Sequence, residues 1–130
     1  MDLRRTALYV SRTRVGLGLL MMASPRLAFG PIYGAGAGEP AAQALARMMG
    51  AREAVLGAGG AIAVGERRGS ADWLSMIAVA DGIDALVNLG SRRLGWRGRV
   101  LGAVAAASSV THLVLAKQLA ANVDTDTHAH

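Results

Sequence analysis

Residues 71–90 read ADWLSMIAVADGIDALVNLG. As a helix these residues would reach about 30 Å, the thickness of a bilayer's hydrocarbon core. Their side chains are mostly apolar, so the stretch predicts a membrane-spanning helix. Two carboxyl groups, Asp81 and Asp84, interrupt it near its middle. An Asp at the centre of a membrane helix costs about 2.5–3.5 kcal/mol to insert, and such residues turn toward a bundle interior where they find partners. The stretch therefore requires other helices.

The composition agrees. Of the 130 residues, 52% are apolar but only 4% aromatic, and 17 are Gly. Soluble cores draw on aromatic volume; close-packed membrane helices draw on small residues that let backbones approach. The net charge is +5, with arginines gathered at the ends of apolar runs, as in loops facing anionic headgroups. No basic face with interleaved aromatics indicates nucleic acid. With no Cys, disulfides, thiolate metal sites and Cys nucleophiles are excluded.

Working outward, Glu66–Arg68 forms a polar turn before the opening stretch, and Ser91–Arg99, with Arg92, Arg93, Arg97, Arg99 and Trp96, forms another after it. Trp73 and Trp96 are placed as interfacial anchors. Residues 41–64 form an apolar segment with Arg47, Arg52 and Glu53 in its first half. Its small-xxx-small pairs Ala54/Ala58, Gly57/Ala61 and Ala61/Gly65 predict a tight helix contact. Residues 99–121 form the last segment, with Gly102/Ala106 and Ala105/Ser109 at the same spacing and His112 near its midpoint. At the start, Arg4, Arg5, Arg12 and Arg14 precede a short apolar run that resembles a signal peptide but is read as retained. Arg12 and Arg14 are expected to snorkel to the interface, unless this helix is interfacial or re-entrant. Gly30–Pro40 reads as a flexible linker, and its glycines lack the strand and Lys of a phosphate loop.

The expected architecture is all-α: one membrane domain over residues 1–121, an integral membrane bundle of four helices (about 6–28, 41–64, 71–90 and 99–121), three or four of them spanning, held by small-residue packing. Residues 122–130 are expected to be a disordered polar tail, with His128 and His130 incidental. Charge counting favours three crossings. The N-terminal arginines, Arg26, Arg47 and the four-Arg turn then share the inner side.

Asp81 and Asp84 lie on one helical face, and Asn88 continues it a turn on. Arg52 and Glu53, with Arg47, and His112, with Ser108 and Ser109 one turn before it, fall at similar depth on other segments. The candidate site is thus Arg47, Arg52, Glu53, Asp81, Asp84, Asn88 and His112. Its plainest reading is a buried polar network that fixes helix register, with Arg52 or Arg47 opposing an Asp. The functional reading is a proton or anion site. Two carboxylates and a His could also hold a metal, but the Glu-x-x-His partners of di-iron bundles are missing. No metal and no cofactor are expected, and no His-Glu-x-x-His, Gly-x-Ser-x-Gly or Walker pattern occurs.

The segments RVGLGLLMMASPR (14–26), ARMMGAREAVLG (46–57) and ADGIDAL (80–86) together resemble a family of small, uncharacterised four-helix integral membrane proteins of bacteria, of actinobacterial type. Arg47, Gly50, Arg52, Glu53 and Gly57 match its RxxGARExxxG box, and Asp81 and Asp84 its DxxD pair. The resemblance covers roughly residues 11–120, implies the four-helix membrane fold, and supplies no activity; His112 lies outside the pattern.

The expected role is an accessory, assembly or oligomerising component in a bacterial inner membrane. Its partners would be the lipid bilayer and either itself or a larger membrane protein, with no nucleic acid. The alternatives are a small proton-coupled or anion carrier using Arg52, Asp81 and Asp84, and a membrane enzyme on a lipophilic substrate with Glu53, the aspartates and His112 as acid/base groups.

Overall fold

The computed structural model describes residues 2–127, with side chains as far as 122. Every regular element among them is helical: α1 (Leu3–Ala23), α2 (Pro25–Tyr33), a 3-10 turn (Gly34–Gly38), α3 (Pro40–Glu66), α4 (Ser70–Gly90), a second 3-10 turn (Arg92–Leu94) and α5 (Gly95–Thr127). They form two compact units, Leu8–Ile62 and Met1–Ala7 with Ala63–His130.

In the unit Leu8–Ile62, the single first helix expected over 6–28 is two helices bent by 92°. Pro25 is the cause. It has no N–H to continue α1's ladder and its fixed φ suits the first turn of a new helix. The linker expected over Gly30–Pro40 is also structured. α2 runs to Tyr33, Gly34 turns the chain at φ +57, and the 3-10 turn folds back on α2. There the Phe29 and Tyr33 rings lie 5.8 Å apart. The Gln43 side chain donates to the Gly38 carbonyl at 2.7 Å and so ties this turn to α3.

The α1–α3 contact is built from residues without bulk. Gly18 faces Gly50 and Ala54, and Gly57 faces Ser11 and Val15. The small-residue contact thus runs through Gly50, Ala54 and Gly57 in the first half of α3. It does not follow the pair Ala61/Gly65, and Gly65 faces open space. Buried positions recur every three or four residues on α1, at Ser11, Arg14, Gly18 and Met21, and at steps of three, four or seven on α3, at Ala46, Gly50, Gly57 and Gly60. That is the seam of a closely packed antiparallel pair. A Cβ on Gly50 would stand 2.6 Å from the Gly18 carbonyl oxygen and 2.9 Å from the Met22 nitrogen. Backbone cannot step aside as a flexible side chain can, so Gly50→Leu should cost about 3 kcal/mol, the upper range for overpacking. Gly16→Ala, in open space on α1, should cost nothing or add stability. Unfolding in detergent by circular dichroism compares the two; equal effects would contradict the seam.

In the second unit, α3 ends where Arg67 takes the left-handed conformation at φ 57. The Arg68 N–H reaches back to the Ala63 carbonyl at 3.2 Å, a helix-terminating motif that usually uses Gly at this place. The Arg4 guanidinium takes the next two carbonyls, Val64 at 2.9 Å and Gly65. The Ser70 hydroxyl donates to Ala63 at 2.9 Å. Orphan carbonyls at the helix end are thereby satisfied.

α4 and α5 pack side by side as an antiparallel hairpin. Their closest approaches use Gly98, where a Cβ would meet the Asn88 carbonyl at 2.6 Å, and Gly102, where it would meet Leu89 at 2.5 Å. Leu74, Ile77, Ala78 and Ala85 are buried on α4, and Leu115 and Ala116 on α5. α5 starts four residues before the expected 99 and continues to Thr127, into the stretch expected as a disordered tail; His128–His130 lie outside the described residues.

Two helices are long and apolar enough to cross a membrane, Ser70–Gly90 and Arg92–Asn122, and a third if α1 and α2 are one broken span. α3 falls short of that measure despite its 27 residues. Arg47, Arg52 and Glu53, with its glycines, lower its hydropathy. Among the described residues, length and composition alone thus support two crossings, or three with the bent pair.

Candidate functional site

The polar side chains of the hairpin face one another. Asp81 sits on α4 at 3% exposure and His112 on α5 at 1%. Ser108, one turn before His112, donates its hydroxyl to Asp81 Oδ2 at 2.6 Å. That is the length of a charge-assisted O–H···O bond. His112 Nδ1 lies 2.8 Å from the Ser108 carbonyl oxygen, 3.3 Å from the Ser108 hydroxyl and 3.8 Å from Asp81 Oδ2. A carbonyl only accepts, so the ring proton is on Nδ1. Next to this cluster, the Ser109 hydroxyl donates to the Ala78 carbonyl of α4 at 2.6 Å, across a surface that Gly82 keeps low: a Cβ there would come within 3.4 Å of Ser109 Oγ. Two serines and a histidine on α5 thus clasp α4.

The arrangement holds a Ser, an Asp and a His, yet it is not a nucleophilic triad. In a triad a base lone pair receives the serine proton and the acid orients the base. Here Ser108 gives its proton to Asp81, and its oxygen faces an N–H rather than a lone pair. No imidazole lone pair faces the hydroxyl to activate it for attack.

Three further polar side chains of these two helices bond to their own backbone. The Ser75 and Thr111 hydroxyls donate to the carbonyls four residues back, both at 2.8 Å, and the Asn88 amide donates to the Asp84 carbonyl at 2.8 Å. Internal bonding of this kind is what a helix in hydrocarbon demands. The large apolar side chains point the other way: Met76, Val79, Ile83, Leu86 and Val87 on α4, and Val104, Val110 and Val114 on α5, are exposed.

In the unit Leu8–Ile62, Glu53 meets a residue outside the predicted set. Arg14 Nε lies 2.7 Å from Glu53 Oε2, and its Nη2 donates to Oε1 at 3.0 Å. This is a close ion pair with one hydrogen bond, from Nη2, and with side-chain exposures of 7% and 13%. Arg14 was expected at the interface with Arg12; Arg12 is exposed, but Arg14 is buried in the α1–α3 seam. Arg52 touches the same carboxylate more loosely, at 3.7 Å, and Arg47 stands exposed. The signal that could have found Arg14 is its spacing: it falls between Ser11 and Gly18, three and four residues away, on the small-residue face. Asp84 is half-buried on α4.

Compared with family models, with curated proteins and with solved structures, the chain matches none.

Within each unit, then, the structure groups Asp81 with His112 through Ser108, and Glu53 with Arg14 and Arg52. Asn88 serves its own helix. Chemically, the first group can hold a proton between an imidazole and a carboxylate, and the second neutralises a buried charge. Both also do what a structural pin does, since a buried polar group that loses its partner costs more than the bond itself.

Proposed function

We propose that this chain is a multi-pass membrane protein whose α4–α5 hairpin is a preassembled, lipid-embedded unit, and that it acts as an accessory or assembly component of a larger membrane complex or as a homo-oligomer. The observation that carries the reading is the sorting of side chains on the hairpin. Asp81, Ser108, Ser109, His112, Ser75, Asn88 and Thr111 bond to each other or to helix backbone, and between the ends of the two helices the large exposed side chains are apolar. Such a surface offers van der Waals contact to lipid or to another helix. Placement in a bacterial inner membrane, further crossings by α1–α2 and α3 to complete a four-helix bundle, and kinship with the small four-helix family are parts of the same proposal. They rest on the arginine-bounded apolar runs and on the ordered box of Arg47, Gly50, Arg52, Glu53 and Gly57 with Asp81 and Asp84.

Extraction from the native membrane in a mild detergent, followed by affinity purification, tests the role. A stoichiometric membrane partner or a defined homo-oligomer is expected. Asp81→Asn, which keeps an acceptor for Ser108, should leave that association intact. A monomer with no partner would contradict the proposal.

One observation favours a second reading, a proton-coupled carrier: Asp81 and His112 are two titratable groups on facing helices within candidate spans, where such pairs commonly relay protons. In that case the purified chain alone should move protons across liposomes, and Asp81→Asn should abolish the flux.

A further inference from the structure

The second turn of the hairpin carries a charge that the clasp does not use. Arg92, Arg93, Arg97 and Arg99 are all exposed, and among the described residues none of them makes an ion pair or a side-chain hydrogen bond. No acidic residue occurs in the sequence between Asp84 and Asp124, so no carboxylate stands near the four positive charges along the chain. The turn joins the two helices that are long and apolar enough to cross a membrane, which puts it at the level of the headgroups once they do. Trp96 is 60% exposed, and the Arg97 guanidinium lies 5.8 Å from its ring, within reach of a cation–π contact. All four cations are Arg and none is Lys. Guanidinium forks match phosphate oxygens two at a time, where an ammonium acts as a point charge.

We propose that this turn is a binding site for the phosphate headgroups of anionic phospholipids, with Arg92, Arg93, Arg97 and Arg99 as the phosphate ligands and Trp96 as their anchor in the interface. The proposal rests on the membrane reading above and adds a ligand class to it. Lipid is the occupant because both ends of the turn continue into helices suited to hydrocarbon, which hold the arginines at one depth. A nucleic acid would have to reach them there, and only one aromatic side chain, Trp96, stands among them to stack on its bases.

The test uses Trp96 as a local reporter in the full chain carrying W73F, reconstituted in phosphatidylcholine vesicles containing one-fifth phosphatidylglycerol. Bromine is placed on either lipid and the quenching of Trp96 is compared at equal mole fraction. Each Arg near an anionic surface favours it by about fivefold, so phosphatidylglycerol should be enriched beside Trp96 by at least about threefold. Enrichment should fall to about one in R92Q/R93Q/R97Q/R99Q and be intermediate in R92K/R93K/R97K/R99K, which keeps the charge and guards against a folding defect. Quenching by brominated phosphatidylcholine should be unchanged in both, showing that the variants still insert. Equal quenching by the two lipids in the wild type would overturn the site while leaving the membrane reading intact. Displacement of phosphatidylglycerol by a single-stranded oligonucleotide at equal phosphate concentration would overturn the assignment to lipid. Quenching by neither lipid would mean that the chain does not insert, and the membrane reading would fall with the site.

Discussion

Replacing Glu53 with Ala should destabilise the unit Leu8–Ile62 by about 3–5 kcal/mol, the typical cost of removing one partner from a buried ion pair. Arg14 holds its Nε and an Nη against Glu53 in the α1–α3 seam, and Ala at 53 would remove that counter-charge from a buried guanidinium. Arg14→Ala should cost a similar amount through the orphaned carboxylate, although Arg52, 3.7 Å away, can absorb part of it. The double variant Arg14→Met/Glu53→Met should recover much of the loss, because two apolar side chains leave no charge to desolvate. Thermal unfolding of the double variant beside Arg14→Met, Glu53→Met and the wild type in one detergent completes the cycle. Additive losses in the double variant would show that the pair is not coupled.

The second large effect concerns the clasp. Asp81→Ala removes the acceptor of the Ser108 hydroxyl and the carboxylate beside His112, at a cost of about 2–3 kcal/mol. Asp81→Asn keeps an acceptor oxygen at the same place and should cost under about 1 kcal/mol, and Ser108→Ala, which unpairs one carboxyl oxygen, about 1 kcal/mol. The ordering Asn, then Ser108→Ala, then Ala at 81 is the signature of a hydrogen-bonded pin. Unfolding midpoints in a denaturing-detergent titration measure it. Full stability in Asp81→Asn and Asp81→Ala alike would remove the structural role and leave a working acid as the reason for an Asp in the span.

Much of this was readable from residues alone, and the limits have physical causes. The 71–90 stretch predicted a helix, and α4 covers Ser70–Gly90, because a long apolar run bounded by charged, Gly-containing turns leaves few choices. The carboxyl groups demanded partners, and helical spacing put Ser108 and His112 on one face of α5. The break at Ser24 was understated, although Pro25 marks it. Arg14 was expected at the interface because it is one of four arginines near the start of the sequence. Only the recurrence of small residues at 11 and 18, matched by Gly50 and Gly57 on α3, reveals that its face is buried. Pairing of charges depends on the register between helices, and register is set by which glycines meet. No single segment shows that.

Labelling in the native membrane tests the central claim, that α4 and α5 cross the bilayer as a hairpin. The chain has no Cys, so single cysteines can be placed on exposed apolar positions along both helices (Val79, Ile83 and Leu86 on α4, Val104 and Val110 on α5) and at Arg93 in the turn. The account predicts that a membrane-impermeant maleimide reacts at Arg93→Cys from one side of the membrane and leaves the five apolar sites unlabelled until detergent is added. Labelling of Ile83→Cys or Val110→Cys in intact membranes would contradict it.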